Sequence, residues 1–256
     1  MTKNGELPAF RYLDPRKSSR SVAPLCDSMV VGHTQEQLQT LIAHCEQFRG
    51  SKAPRGYPDS LALCIIDSIQ STGVRYTSVK KIVDSYERYR RDRGAEPGTD
   101  GTRELIATFD ELGGPEGWSQ KIGNRNKTST KAGAPLKAEA IRAAAVALGE
   151  VNVTTTAELR DAVRDESLLR RIESAWCGVV AQRSGITWHY VQMLAGTPGV
   201  KPDRMIVRFV ADSLALPRAT VTPNFALDIV KATAKSMGIS PSDLDHGVAC
   251  QGDGTT

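Results

Sequence analysis

Asp203 closes a stretch, AQRSGITWHYVQMLAGTPGVKP over residues 181–202, in which several reactive side chains lie close together. A carboxylate at the head of a helix is kept ionised by the helix-end amides. In that state it can stabilise a developing cation or activate a water. Upstream, the turn Ser184-Gly185-Ile186-Thr187 would present backbone N–H groups outward, and such amides hold a phosphate oxygen without reading any base. Lys201 brings an amine, His189 an imidazole and Trp188 an indole to the same stretch. Capping alone also accounts for Asp203, because aspartate is a preferred N-cap residue. The two roles are compatible.

The elements that must position these groups can be read from spacing. A helix ends before Ser184, and a short one runs from Trp188 to Ala195. Gly196 and Pro198 stop it, since glycine suits the position after a helix and proline cannot continue the ladder. The loop Thr197 to Pro202 leads to Asp203 and a helix from Arg204 to Leu214, whose apolar residues Met205, Ile206, Phe209, Val210 and Leu214 recur at helical spacing.

The order of glycine hairpin, short helix, loop and helix-opening aspartate resembles the helix-hairpin-helix DNA glycosylases, the endonuclease III-like superfamily. The resemblance covers about residues 58–216 and is specific from Ser184 to Phe209. It implies an all-α, two-lobed fold with a helix-hairpin-helix motif. A six-helix lobe would span 58–196, and a second lobe would join 25–57 to 197–256. It implies that Asp203 is the catalytic carboxylate and that duplex DNA carrying a modified base is the partner. The base, flipped from the duplex, would lose its N-glycosidic bond by hydrolysis. No metal, organic cofactor or membrane is implied.

Two positions depart from the family pattern. Thr187 stands where the hairpin usually has a second glycine, and His189 stands where lyase members carry lysine. A glycosylase without lyase activity is therefore expected, with Lys201 the one nearby amine that bears on that conclusion. The alternative is a non-catalytic helix-hairpin-helix DNA-binding protein. His189, Trp188 and Lys201 are the candidates near the base. Trp176 can also stack on a base, but its mid-helix place in an apolar pattern marks it as core.

Backbone contacts are expected from Ser184, Gly185, Ile186 and Thr187. A second candidate is KIGNRNKTSTKAGAPLK, residues 121–137, which holds Lys121, Arg125, Lys127, Lys131 and Lys137 and no acid. Its small polar residues are of the kind that meet phosphate, although a basic run equally suits a solvated loop. The segment Gln70-Ser71-Thr72-Gly73 resembles the place where the family inserts a side chain into the duplex, making Gln70 and Thr72 the candidates. A plain helix–helix turn explains it as well.

The 256 residues are enough for one domain or two small ones, and 40% hydrophobic with 24% charged residues is ordinary for a globular chain. A net charge of +4 requires any nucleic-acid role to come from local clustering. The opening segment lacks the pattern of a signal peptide, and the apolar runs fall short of a bilayer span. The expectation is a cytoplasmic protein, nucleoid-associated in a bacterium. The five cysteines and four histidines form no metal-ligand spacing, and no cluster of cysteines near the end could hold an iron–sulfur centre.

Other helices are expected at 34–48 with Thr34 as cap, from Asp59 to Ile69, from Ser78 to Arg93, at 103–112, and at 136–149. Further ones are expected at 157–163, at 168–182 with Asp165 as cap, and at 224–237, followed by a short cap at 240–244. Residues 1–24 read as a basic arm. No alternating strand is evident. Asp245 and His246 read as solvent-facing or as closing a helix end.

Overall fold

A computed structural model describes residues 32–253. The expected basic arm at 1–24 lies outside the described residues. The chain is all-α: twelve α-helices and no strand among the described residues. They are α1 (Gln35–Cys45), α2 (Leu61–Gln70), α3 (Tyr76–Arg91), α4 (Thr102–Glu111), α5 (Pro115–Lys121) and α6 (Lys137–Glu150). After these come α7 (Thr156–Asp161), α8 (Glu166–Gly178), α9 (Ile186–Leu194), α10 (Arg204–Ser213), α11 (Pro223–Met237) and α12 (Pro241–Asp253).

Side-chain caps set six of the helix starts. Thr34 and Gln37 form a reciprocal capping box at α1, and Thr155 with Glu158 does the same at α7. Asp165 Oδ1 accepts from Ser167 N at 2.9 Å and Leu168 N at 3.0 Å at the head of α8. At α2 the cap is Ser60 rather than Asp59. Ser60 accepts from Leu63 N at 3.4 Å, and its hydroxyl lies 2.9 Å from Pro97 O, which fixes the following loop to the helix start.

All ten residues of α2 are buried, the polar Asp67, Ser68 and Gln70 among them. It packs against α9, α6, α3 and α4 at the centre of one hydrophobic cluster that includes Trp118, Trp176 and Trp188. A second cluster joins Leu41, Cys45 and Phe48 to Ile206, Val210, Ile229, Val230 and Leu244. The helix at the start of the described chain thus packs on α10 and α11. Asp243 ties it down further, accepting from Ala53 N and Lys52 Nζ, each at 3.0 Å.

Several boundaries differ from the sequence expectation. The helix expected over 168–182 ends at Gly178, because Val179 is extended and Ala181 takes the left-handed region at φ 63°. The turn is correspondingly longer, and Ile186 and Thr187 already belong to the first turn of α9. α5 is not among the helices expected from the sequence; it begins on Pro115, and proline is favoured in a helix's first turn. α12 replaces the short cap expected at 240–244. Residues 126–137 fold back on themselves, with Lys127 and Leu136 forming an isolated antiparallel bridge.

Candidate functional site

Asp203 begins α10 in extended conformation, and its Oδ1 accepts from Met205 N at 2.8 Å and Ile206 N at 3.4 Å. The loop leading to it is held on both sides. Gly199 N donates to Ser242 Oγ at 3.0 Å, and Lys201 N donates to Asp245 Oδ1 at 2.9 Å. At the end of α9, Arg160 donates to Ala195 O at 2.7 Å and also to Pro58 O, and Tyr57 N donates to Leu194 O at 2.8 Å. Gly56 lies against this carbonyl at φ 68°, where a Cβ would come within 2.5 Å of Leu194 O.

Beneath the loop is a buried polar group centred on Asp67, midway along α2. Its Oδ2 accepts from Tyr57 Oη at 3.0 Å and from Tyr76 Oη at 3.1 Å. Its Oδ1 is buried without a partner, and so are both side-chain atoms of Gln70, one turn further on. Lys201 extends from the other side, its Nζ 3.2 Å from Ser71 Oγ and 4.0 Å from the centre of the Tyr190 ring. Lys137 Nζ donates to Gln70 O at 2.8 Å and Thr72 O at 2.6 Å. Two ammonium groups thus meet the carbonyl end of α2, the negative pole of its dipole.

Burial sets the ionisation here. It raises the Asp67 carboxyl, against the lowering effect of hydrogen bonds from Tyr57, Tyr76 and Tyr190 and of the Lys201 charge. It pushes Asp245 up to about 7, with the charge of Asp203 adding to the rise. Lys137 is lowered to about 8 by burial and by repulsion from Lys201. Burial lowers Lys201 as well, opposed by Asp203, Asp245 and Asp67. Asp245, which had read as solvent-facing or helix-closing, is a buried support for the Lys201 backbone.

The residues singled out in the sequence fall into separate places. Asp203 and Lys201 stand together at this group. Trp188 is 2% exposed and packs in the core with its ring centre 6.4 Å from that of Trp176, so it cannot stack on a base without unpacking the core. His189 is half-buried and senses Lys231 and Asp228 of α11. Burial lowers its pKa first, and Lys231 second. At the hairpin, Ser184 is exposed, but Gly185 N turns inward to Gln182 O at 3.1 Å instead of pointing out. Thr187 is also turned in: its hydroxyl accepts from Trp176 Nε1 at 3.0 Å and donates to Gln182 Oε1. The amides that begin α9, from Ile186 on, precede its first intrahelical bond, His189 N to Gly185 O.

Arg125, Lys127 and Lys131 are exposed on the folded-back loop, Arg125 paired with Glu116 at 3.0 Å. Lys137 is not with them. At 2% exposure its ammonium is used up on α2 carbonyls and cannot reach a phosphate. Gln70 is fully buried, so it does not project toward a duplex. Thr72 is half-buried and its hydroxyl donates to Ile69 O at 2.9 Å. Asp67 and Tyr190 were missed. The available signal was one carboxylate inside the otherwise apolar run LALCIIDSIQ, because a carboxylate there must be partnered or serve a purpose.

These observations define an all-helical protein with a carboxylate, two amines and a tyrosine-bound aspartate gathered between two hydrophobic clusters. The chain belongs to the family described as a domain of unknown function, DUF8548, whose model matches residues 39–249. No curated protein matches it, and no solved structure does. No helix among the described residues is long and apolar enough to cross a membrane. Among the described residues there is no cluster of His, Cys, Asp and Glu suited to a metal ion.

Proposed function

We propose that this chain is a DNA glycosylase that hydrolyses the N-glycosidic bond of a modified base flipped from duplex DNA, without lyase activity. The observation that carries the reading is the placement of Asp203. Its carboxylate heads α10 with one oxygen held by two helix amides, two residues beyond Lys201 and the buried Asp67 group. A carboxylate fixed in this way suits stabilisation of a cationic sugar as the base departs, or activation of the attacking water. The two hydrophobic clusters would form the two lobes, with the base entering beside Asp203.

Backbone phosphates would be held by the amides at the start of α9, beside the exposed Ser184, and by Arg125, Lys127 and Lys131. His189 stands where lyase relatives of the resembled superfamily carry lysine, and imidazole does not readily form a Schiff base. That leaves water as the acceptor of the sugar.

The second reading, a DNA-binding protein without catalysis, is favoured by the inward turn of Gly185 and Thr187, which departs from an open hairpin. A panel of duplexes, each with one modified base, separates the two. Base release that leaves alkali-labile but uncut abasic sites supports hydrolysis. Salt-sensitive binding with no release from any duplex supports the binding protein.

A further inference from the structure

A pocket of about 210 Å³ opens between the end of α3 and the end of α5, lined by Ser85, Arg88, Tyr89, Asp92, Arg93 and Lys121. Three of these side chains are positive and one, Asp92, is negative. The cations differ from their neighbours in being left over. Arg90 and Arg91 on the same helix are each paired at 2.7 Å, with Asp100 and Glu87, and Arg125 is paired with Glu116 at 3.0 Å. Arg88 and Lys121 have no carboxylate partner among the described residues. Arg93 is held in place from behind. Its Nε lies 3.3 Å from Glu111, its Nη1 donates to Tyr89 O at 3.3 Å, and its Cζ stacks 3.6 Å from the centre of the Tyr89 ring. The hydroxyls of the lining are engaged elsewhere: Ser85 donates to Lys81 O at 2.7 Å and Tyr89 to Glu111 at 2.8 Å. The side-chain donors free to meet a ligand are therefore cationic, so the pocket selects an anion by charge.

We infer that this pocket holds a backbone phosphate of duplex DNA, on one track with the basic loop that follows α5. Like charges gathered in a concave site focus the field on an incoming anion, and arginine matches the oxygens of a phosphate. The choice of a nucleic-acid strand comes from the position of Lys121. It opens the acid-free run 121–137, and its Cα can stand no more than about 14 Å from that of Arg125 and about 21 Å from that of Lys127. A strand of duplex carries a phosphate every ~3.4 Å of axis, so one backbone can reach the pocket and the loop together. This rests on the DNA reading above, in either its catalytic or its binding form, and extends the interface onto α3.

The test is the affinity of a fluorescent duplex titrated across salt concentrations. Arg88 and Lys121 are exposed, so Arg88→Ala/Lys121→Ala should keep the melting temperature of wild type. It is expected to reduce the log–log salt slope by about 2. Arg91→Ala/Arg218→Ala removes the same charge from two exposed arginines already paired with carboxylates, and should leave the slope as in wild type. A slope unchanged in the first variant, or lowered equally in the second, overturns the inference while duplex binding stands. Calorimetric titration with inorganic phosphate separates the other source of the same group. Phosphate bound by wild type and not by Arg88→Ala/Lys121→Ala, with the duplex slope unchanged, marks a site for a free anion and also overturns it. Absence of salt-sensitive binding of wild type to any duplex defeats the DNA reading itself and this inference with it.

Discussion

Lys137 and Lys127 lie near opposite ends of one short fold-back and have different energetic weights. Lys137 satisfies two carbonyls at the end of α2, so Lys137→Met leaves both unpaired in a buried place. The expected loss is about 2 kcal/mol in a denaturant melt, whereas Lys127→Met should stay within roughly 0.5 kcal/mol. Asp245 makes a pH prediction. Its folded pKa, about 7, stands above the ordinary value of 3.8, so the folded state binds the extra proton between those values. Its contribution to stability is full below about 4 and is lost as pH rises through 7. Asp67, also raised by burial, acts in the same direction. Asp245→Asn keeps an oxygen for Lys201 N and removes the titration. Its melting temperature should therefore fall less than that of wild type between pH 4 and 7, and an unchanged slope would refute the assignment.

The start of α9 makes a prediction at the scale of an element. Thr187 joins Trp176 of α8 to Gln182 of the turn, so Thr187→Val, similar in shape, strands a buried indole N–H and an amide oxygen. A loss of about 1–3 kcal/mol is expected in thermal or denaturant unfolding. The helices legible in the sequence were those with local signals. Thr34, Asp165 and Asp203 each cap the helix they were expected to cap, and α10 follows its apolar spacing. Elements decided by tertiary contact were not legible. α12, expected only as a short cap at 240–244, runs on through Gly247, where Ser51 and Phe48 pack so closely that an added Cβ would come within 2.9 Å of the Phe48 Cβ. The candidate site divides in the same way. Asp203 and Lys201 could be found from spacing, but the link from Lys201 to Asp245, and the tyrosines gathered on Asp67, join residues far apart in the chain.

At the scale of the whole molecule, a net charge of +4 is too small to attract a polyanion by itself, so binding must depend on where the charges stand. If Lys127 and Lys131 contact phosphates, the double variant Lys127→Ala/Lys131→Ala should reduce the log–log salt slope of duplex affinity by about 2, measured by titration across salt concentrations. An unchanged slope would remove the loop from the interface. The central claim concerns Asp203, and its test gains from the helix it caps. Asparagine caps as well as aspartate does, so Asp203→Asn should preserve α10 and the melting temperature while removing the charge. The most direct measurement is single-turnover base release by wild type and Asp203→Asn on the same modified duplex. The account predicts release by wild type and a rate lower by roughly 10²-fold or more in the variant, with duplex affinity retained. Equal rates in the two proteins, or no release by wild type from any duplex, would contradict it.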